Sequence, residues 1–253
     1  MIPETGIPSY FTVFLLSAVL ARQSRDVRRF PRRACPPTHF AFTFAEMTIT
    51  LYIIIATVIL SFLCFQNDEL RDRFIFNPFI IREQRQWYRF ISSGFIHADW
   101  MHLLVNMFVL YMFGNVVEKY YENFFESRGS VDFLLLYFGG MAVSTVRTYH
   151  KHKFDTGYRA LGASGAVSAV VFSYIVFNPL DKLCLYGILC LPGIIFGAAY
   201  LIYCYYAGKK GIGYVNHDAH MWGALFGFFF TIMLKPYLAI YFLKQLPFLQ
   251  HAF

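Results

Sequence analysis

The chain has 253 residues and a formal net charge of +7; 57% of its residues are hydrophobic and only 15% charged. Soluble domains hold roughly 45–50% and about 25% of these classes, so the composition excludes an ordinary soluble protein and predicts an integral membrane protein with little mass outside the bilayer. The basic residues cluster in the first 35 residues and in the flanks of apolar runs. That placement suits an anionic membrane surface and gives no signal for a nucleic-acid partner.

Residues 1–46 fit a membrane bundle poorly. "PSYFTVFLLSAVLA" is too short to cross comfortably, and its basic cluster follows the apolar run, against the order of a signal peptide. The segment is expected to be a basic, disordered extension, with Met47 a candidate true start. A spanning helix needs about 20 mostly apolar residues. Stretches near 47–65, 101–120, 131–147, 161–178, 182–205 and 216–238 qualify or nearly so, giving a six-span domain over 47–238 and a short tail over 239–253. The connection 66–100 carries Trp87, Tyr88 and Trp100 with Arg71, Arg73, Arg82, Arg85 and Arg89, the mixed character of an interfacial segment. Lysines and arginines divide evenly between the two sides, so charge bias does not orient the bundle. Cys35, Cys64, Cys184, Cys190 and Cys204 show no CxxC pair and no disulfide-like spacing and are read as packing residues.

Polar groups inside spans are costly and mark functional candidates. The second span opens with His97, His102 and Asn106, the fourth with Ser164 in "GASG", and the sixth with Asn216, His217, Asp218 and His220. Singly, each has a plain reading: an interfacial histidine, an interhelical amide clip, a small packing residue. Together they matter, because the starts of the second, fourth and sixth of six alternating spans lie on one side of the membrane. Ser164 needs a base to become a nucleophile, and His220 is the natural one. A helix start offers free N–H groups to an oxyanion, and His102 and Asn106, four residues apart on one face, offer side-chain donors. Gly162 and Gly165 permit close backbone approach. His220, Gly223 and Gly227 fall on one stripe, and "GALFG" is a small-xxx-small face able to press on the Ser164 helix. Asp218 lies about 200° around the helix from His220, which predicts a dyad and not a triad. A metal reading of His97, His102, His217 and His220 is also open; no metal or cofactor is expected.

These residues resemble the rhomboid family of intramembrane serine proteases across roughly 47–238. The resemblance rests on "GASG" at 162–165, the HxxxxHxxxN pattern of His97, His102 and Asn106, and "AHMWGALFG" at 219–227. It implies an all-α polytopic membrane protein, a six-transmembrane helix bundle of the bacterial type. It implies a cytoplasmic N-terminus and a site opening outward. Ser164 would be the nucleophile and His220 the base, with His102, Asn106 and the Ser164 N–H as the oxyanion site. Arg89 resembles the arginine of the family's Trp-Arg motif, though Tyr88 precedes it here, and Glu118 resembles a structural acid. Ser168 departs from the pattern, since an aromatic often stands there to support the histidine ring. The implied substrates are single-span membrane proteins cut in a bilayer, here expected to be a bacterial cell membrane. The span 182–205 and the glycine-rich 206–216, with Gly208, Gly211 and Gly213, read equally as gate and cap or as an ordinary loop. The competing classes are a non-catalytic protein that binds membrane clients and, more weakly, a transporter.

Overall fold

The computed structural model describes residues 47–185, 189–211 and 215–246. The expectations for 1–46 and for Gly213 lie outside the described residues. The elements, in chain order, are α1 (Ile49–Gln66), α2 (Asp68–Phe74), α3 (Pro78–Gln84), α4 (Arg89–Ser92), α5 (Trp100–Phe125), α6 (Gly129–His152), α7 (Ser164–Phe177), β1 (Lys182–Leu185), β2 (Leu189–Pro192), α8 (Gly193–Lys210), α9 (His217–Leu234) and α10 (Tyr237–Gln245). The chain is an all-α polytopic membrane bundle. By length and apolarity, Ile49–Gln66 and the stretch Trp100–His152 can each cross a membrane, and α9 with α10 forms a pair bent by 115°. The bend falls at Lys235–Pro236, where proline cannot continue the amide ladder. Tyr52, Ile59, Ile202, Phe229 and Met233 point outward, the apolar exposure that a lipid-facing surface requires.

Helix α7 is the axis of the bundle. Its fourteen residues are apolar on every side and nearly all buried, as expected of a helix enclosed by others. At 1.5 Å per residue it is about 21 Å long, shorter than the roughly 30 Å hydrocarbon layer. Helices α6 and α9 pack on it closely. A Cβ at Gly223 would run into the Gly165 carbonyl, and one at Gly227 into the Ala169 carbonyl. The small-xxx-small face therefore meets backbone, not side chains. Lower in the bundle, Thr231 of α9 donates to Ser173 of α7 at 2.8 Å, and its hydroxyl lies 2.9 Å from that of Tyr121 of α5. This buried polar knot ties three helices.

Helix α1 docks through a stripe the sequence reading does not single out. Thr50, Ile53, Thr57, Ser61 and Cys64 recur at three- and four-residue steps and are its buried face. Its start is capped twice. Thr48 Oγ1 accepts from the Leu51 N–H, and the Glu118 carboxylate accepts from the N–H groups of Ile49 and Thr50 at 2.7 and 2.9 Å.

The fifth expected span requires correction. Lys182–Leu185 and Leu189–Pro192 pair as antiparallel strands, Leu183 opposite Leu191, and the helix begins only at Gly193. Pro192 blocks earlier helix, and the alternating "KLCL" and "LCLP" suit strands that an averaged hydropathy merges with the helix beyond. The strand pair also joins Cys184 to Cys190 in a disulfide, against the reading of scattered cysteines; Cys64 and Cys204 are free and buried. The supposed cap is shorter than expected. Gly208 is helical, and α8 ends where Gly211 takes a left-handed conformation (φ 62°) and donates to the Ala207 carbonyl. Helix α10 runs across the boundary expected at 238–239, with Leu238 and Phe242 buried.

Candidate active site

Ser164 is the first residue of α7, and His220 lies in the first turn of α9. Their side chains meet, with His220 Nε2 2.6 Å from Ser164 Oγ. The close approach of α7 and α9 sets this distance, since Gly223 sits one turn beyond His220 on the face that presses on Gly165. The Nδ1 atom of His220 is buried and has no hydrogen-bond partner among the described residues. Asp218 is turned elsewhere, 3.7 Å from Arg147 and 3.6 Å from Lys151 on α6. The side chain two residues from the imidazole thus fastens α9 to α6, which accords with a dyad.

The turn before Ser164 is held from several directions. Gly162 has φ 118°, a conformation that favours glycine, and donates its N–H to the Ser93 carbonyl at 2.9 Å. A Cβ there would also sit 2.6 Å from the His102 ring, so Gly162 is small for conformation and for space. His97 is wholly buried in the connection ahead of α5. Its Nε2 accepts from the Ala163 N–H at 3.4 Å, and its Nδ1 lies 3.0 Å from Ser61 Oγ. An imidazole that accepts at Nε2 carries its proton on Nδ1, so Nδ1–H donates to Ser61. Ser61 in turn donates to the Phe95 carbonyl at 3.1 Å. Burial, and next the neighbouring His102, holds the His97 pKa well below the usual imidazole range.

His102 and Asn106 lie on the face of α5 turned to this turn. The His102 ring abuts Gly162 and meets the His97 ring edge-on at 4.8 Å. Asn106 lines a small, partly open recess together with Ser164, Ser168, Phe196, Tyr200 and His220. One of its amide hydrogens is donated to the His102 carbonyl at 2.9 Å, leaving the second for other acceptors.

The remaining expected residues are supports at a distance. Arg89 is buried and its guanidinium donates to Gln86 Oε1 and to the carbonyls of Asp72 and Ile75, each at 2.7 Å, which closes the interfacial connection on itself. Tyr88, beside it, offers its ring to the cation at 5.6 Å, a cation–π contact. Glu118 stands far down α5 from His102, about 24 Å along the axis at 1.5 Å per residue. Its carboxylate serves α1, accepting from Ile49, Thr50 and the Thr50 hydroxyl. No group of three His, Cys, Asp or Glu side chains able to hold a metal occurs among the described residues.

Two contributions escape the sequence reading. Asn216, noted there only as a polar residue, caps α9 by accepting from the Ala219 N–H at 3.1 Å, and its amide donates to Thr148 of α6 at 2.9 Å. The asparagine-then-helix pattern carries that signal. Tyr200 of α8 lies parallel to the His220 ring at 6.4 Å and 9°. No local pattern marks it.

The Rhomboid domain family matches residues 84–237, more than half the chain and all of the site. Presenilin-associated rhomboid-like protein A, mitochondrial, of Danio rerio is 31% identical over 191 residues, 72% of this chain and 46% of that protein. Rhomboid-like protein 11, chloroplastic, of Arabidopsis thaliana is 31% identical over 160 residues, 60% of this chain and 54% of that one. The putative rhomboid protease YdcA of Bacillus subtilis is 27% identical over 148 residues, 58% of this chain and 67% of that one. The chain spans about half the length of the first two. With a helix-initial serine bonded to a histidine two helices on, and this match around them, the chain belongs to the rhomboid family.

Proposed function

We propose that the protein is an intramembrane serine endopeptidase working through a Ser164–His220 dyad. The observation that carries this is the 2.6 Å contact between Ser164 Oγ and His220 Nε2 at the start of α7. His220 Nε2 takes the hydroxyl proton as Oγ attacks the scissile carbonyl. The developing oxyanion meets the first N–H groups of α7, at the positive end of its dipole, with His102 and the free Asn106 amide hydrogen as further donors. Collapse of the adduct passes the proton from His220 to the leaving amine and leaves an acyl group on Ser164. Water, deprotonated by His220, then releases it. The membrane-embedded recess favours transmembrane proteins as substrates. Two of the three relatives carry organelle names, so we read the host membrane as an organelle's and withdraw the bacterial cell membrane, which they do not support.

Reconstitution of the full chain with a single-span substrate tests the reading. Cleavage and fluorophosphonate labelling are expected for the unaltered protein, with cleavage lost by about 10⁴-fold or more in Ser164→Ala. Cleavage that survives Ser164→Ala would sink the mechanism, and substrate capture without cleavage would favour the client-binding class.

A further inference from the structure

His220 is an incompletely held imidazole. Its Nε2 is engaged with Ser164, while Nδ1 is buried without a partner among the described residues. Among the described residues, no partner at the second nitrogen supplies the usual means of orienting a basic histidine. The ring must take its orientation from what packs on its faces. The residue one turn after Ser164, where a ring would reach His220 from α7 itself, is Ser168.

The space is filled from another helix. Tyr200 of α8 lies with its ring within 9° of the His220 plane and 6.4 Å between centroids, inside the offset-parallel range of interacting rings. Its hydroxyl is 2.9 Å from Ser168 Oγ. The small residue on α7 thus makes room for the Tyr200 ring and also anchors its far end. Phe172 and Phe196 flank that ring at 5.8 and 6.2 Å, limiting its rotation. Ser168, Phe172, Phe196, Tyr200 and His220 all line the one recess.

We propose that Tyr200 is the positioning residue for His220, its ring supplied by α8 and given room by the small side chain of Ser168. This rests on the dyad reading above and adds to it that the chemical competence of the dyad depends on where α8 stands. A helix that swings outward takes the ring with it and frees the imidazole to rotate out of line with Ser164.

The test compares Tyr200→Phe, Tyr200→Leu and the exchange Tyr200→Ala with Ser168→Tyr in the reconstituted full chain. Tyr200→Leu keeps much of the volume but has no ring face. It should lower kcat for a transmembrane substrate by about 10- to 100-fold with KM within about twofold, since misplacing a base by about 1 Å has effects of that size. Tyr200→Phe should stay within about threefold, and the exchange should recover most of what Tyr200→Ala alone loses. The idea is overturned if Tyr200→Leu raises KM and spares kcat, which would make Tyr200 a wall of the recess, or if Leu performs as well as Phe. Ring ¹⁵N signals of His220, assigned by their absence in His220→Ala, provide a readout independent of turnover. They should broaden in Tyr200→Leu and stay sharp in Tyr200→Phe; unchanged signals in Leu overturn the proposal. Should the unaltered protein neither cleave nor label, the peptidase reading fails, and the ring signals still decide the positioning role.

Discussion

Helices α8 and α9 both flank α7, and they hold it by different means. Helix α9 presses backbone on backbone: Gly223 on Gly165, Gly227 on Ala169. Helix α8 follows two paired strands and meets α7 through side chains, with Ile175 and Phe172 against Gly197 and Phe172 beside the Tyr200 ring, while Ile195, Ile202, Tyr205 and Tyr206 stay exposed. Backbone contact tolerates almost no adjustment, whereas side-chain contact can be made and broken by a rotamer change. The distance between Ser164 and His220 is therefore built into the rigid pair. The face of the His220 ring is met by the looser partner. The same division separates two histidines: among the described residues His97 is bonded at both ring nitrogens and His220 at one.

Three perturbations sharpen this contrast. The largest effect is expected from Gly227→Val. Its added atoms meet the Ala169 backbone, which has nowhere to move. Stability should fall by about 3 kcal/mol or more, read as a lower melting temperature in detergent and lost labelling of Ser164. A variant as stable as the parent would mean that the two helices are farther apart than described. An intermediate effect concerns His97. Its folded pKa is depressed from the ordinary 6.5. Below that pH the unfolded chain binds a proton that the folded site refuses, so stability falls as the pH drops. Between about pH 6.5 and 5.5 this amounts to about 1 kcal/mol, and His97→Gln should remove that part of the slope in pH-dependent unfolding. An unaltered slope would show that His97 is not held neutral. The smallest effect belongs to the exposed face of α8, where Ile202 stands outward. Ile202→Ala should change stability by no more than about 0.5 kcal/mol, and a larger loss would show that α8 is packed against something on that face.

The parts of the site visible in the sequence are those whose residue types are costly where they stand. A serine among glycines, histidines and an asparagine opening apolar runs, and glycines at one-turn spacing all announce themselves locally. The strand pair does not, because a run averaging apolar over 182–205 hides the period-two alternation of its first half, and Pro192 is the one residue that contradicts a continuous span. The disulfide is hidden for the same reason: only the antiparallel register of the two strands sets Cys184 opposite Cys190. Tyr200 is invisible for a different reason. It is one of many tyrosines in an apolar chain, and its relation to His220 exists only once α8 is laid against α7 and α9. The departure at Ser168, read alone as a loss of support, takes its meaning from that tertiary contact.

Helix α1 carries a consequence of its own. Thr50 is seized at one end by the Glu118 carboxylate, and Ser61 bonds at the other to His97, whose second nitrogen receives the N–H of Ala163, just before Ser164. The two grips are eleven residue steps apart, about 17 Å of nearly inextensible rod. Such a rod is a spacer gauge. It transfers the height of a carboxylate at one end of the bundle to the height of the Ser164 turn at the other, so the position of that turn is measured from the far end of the bundle.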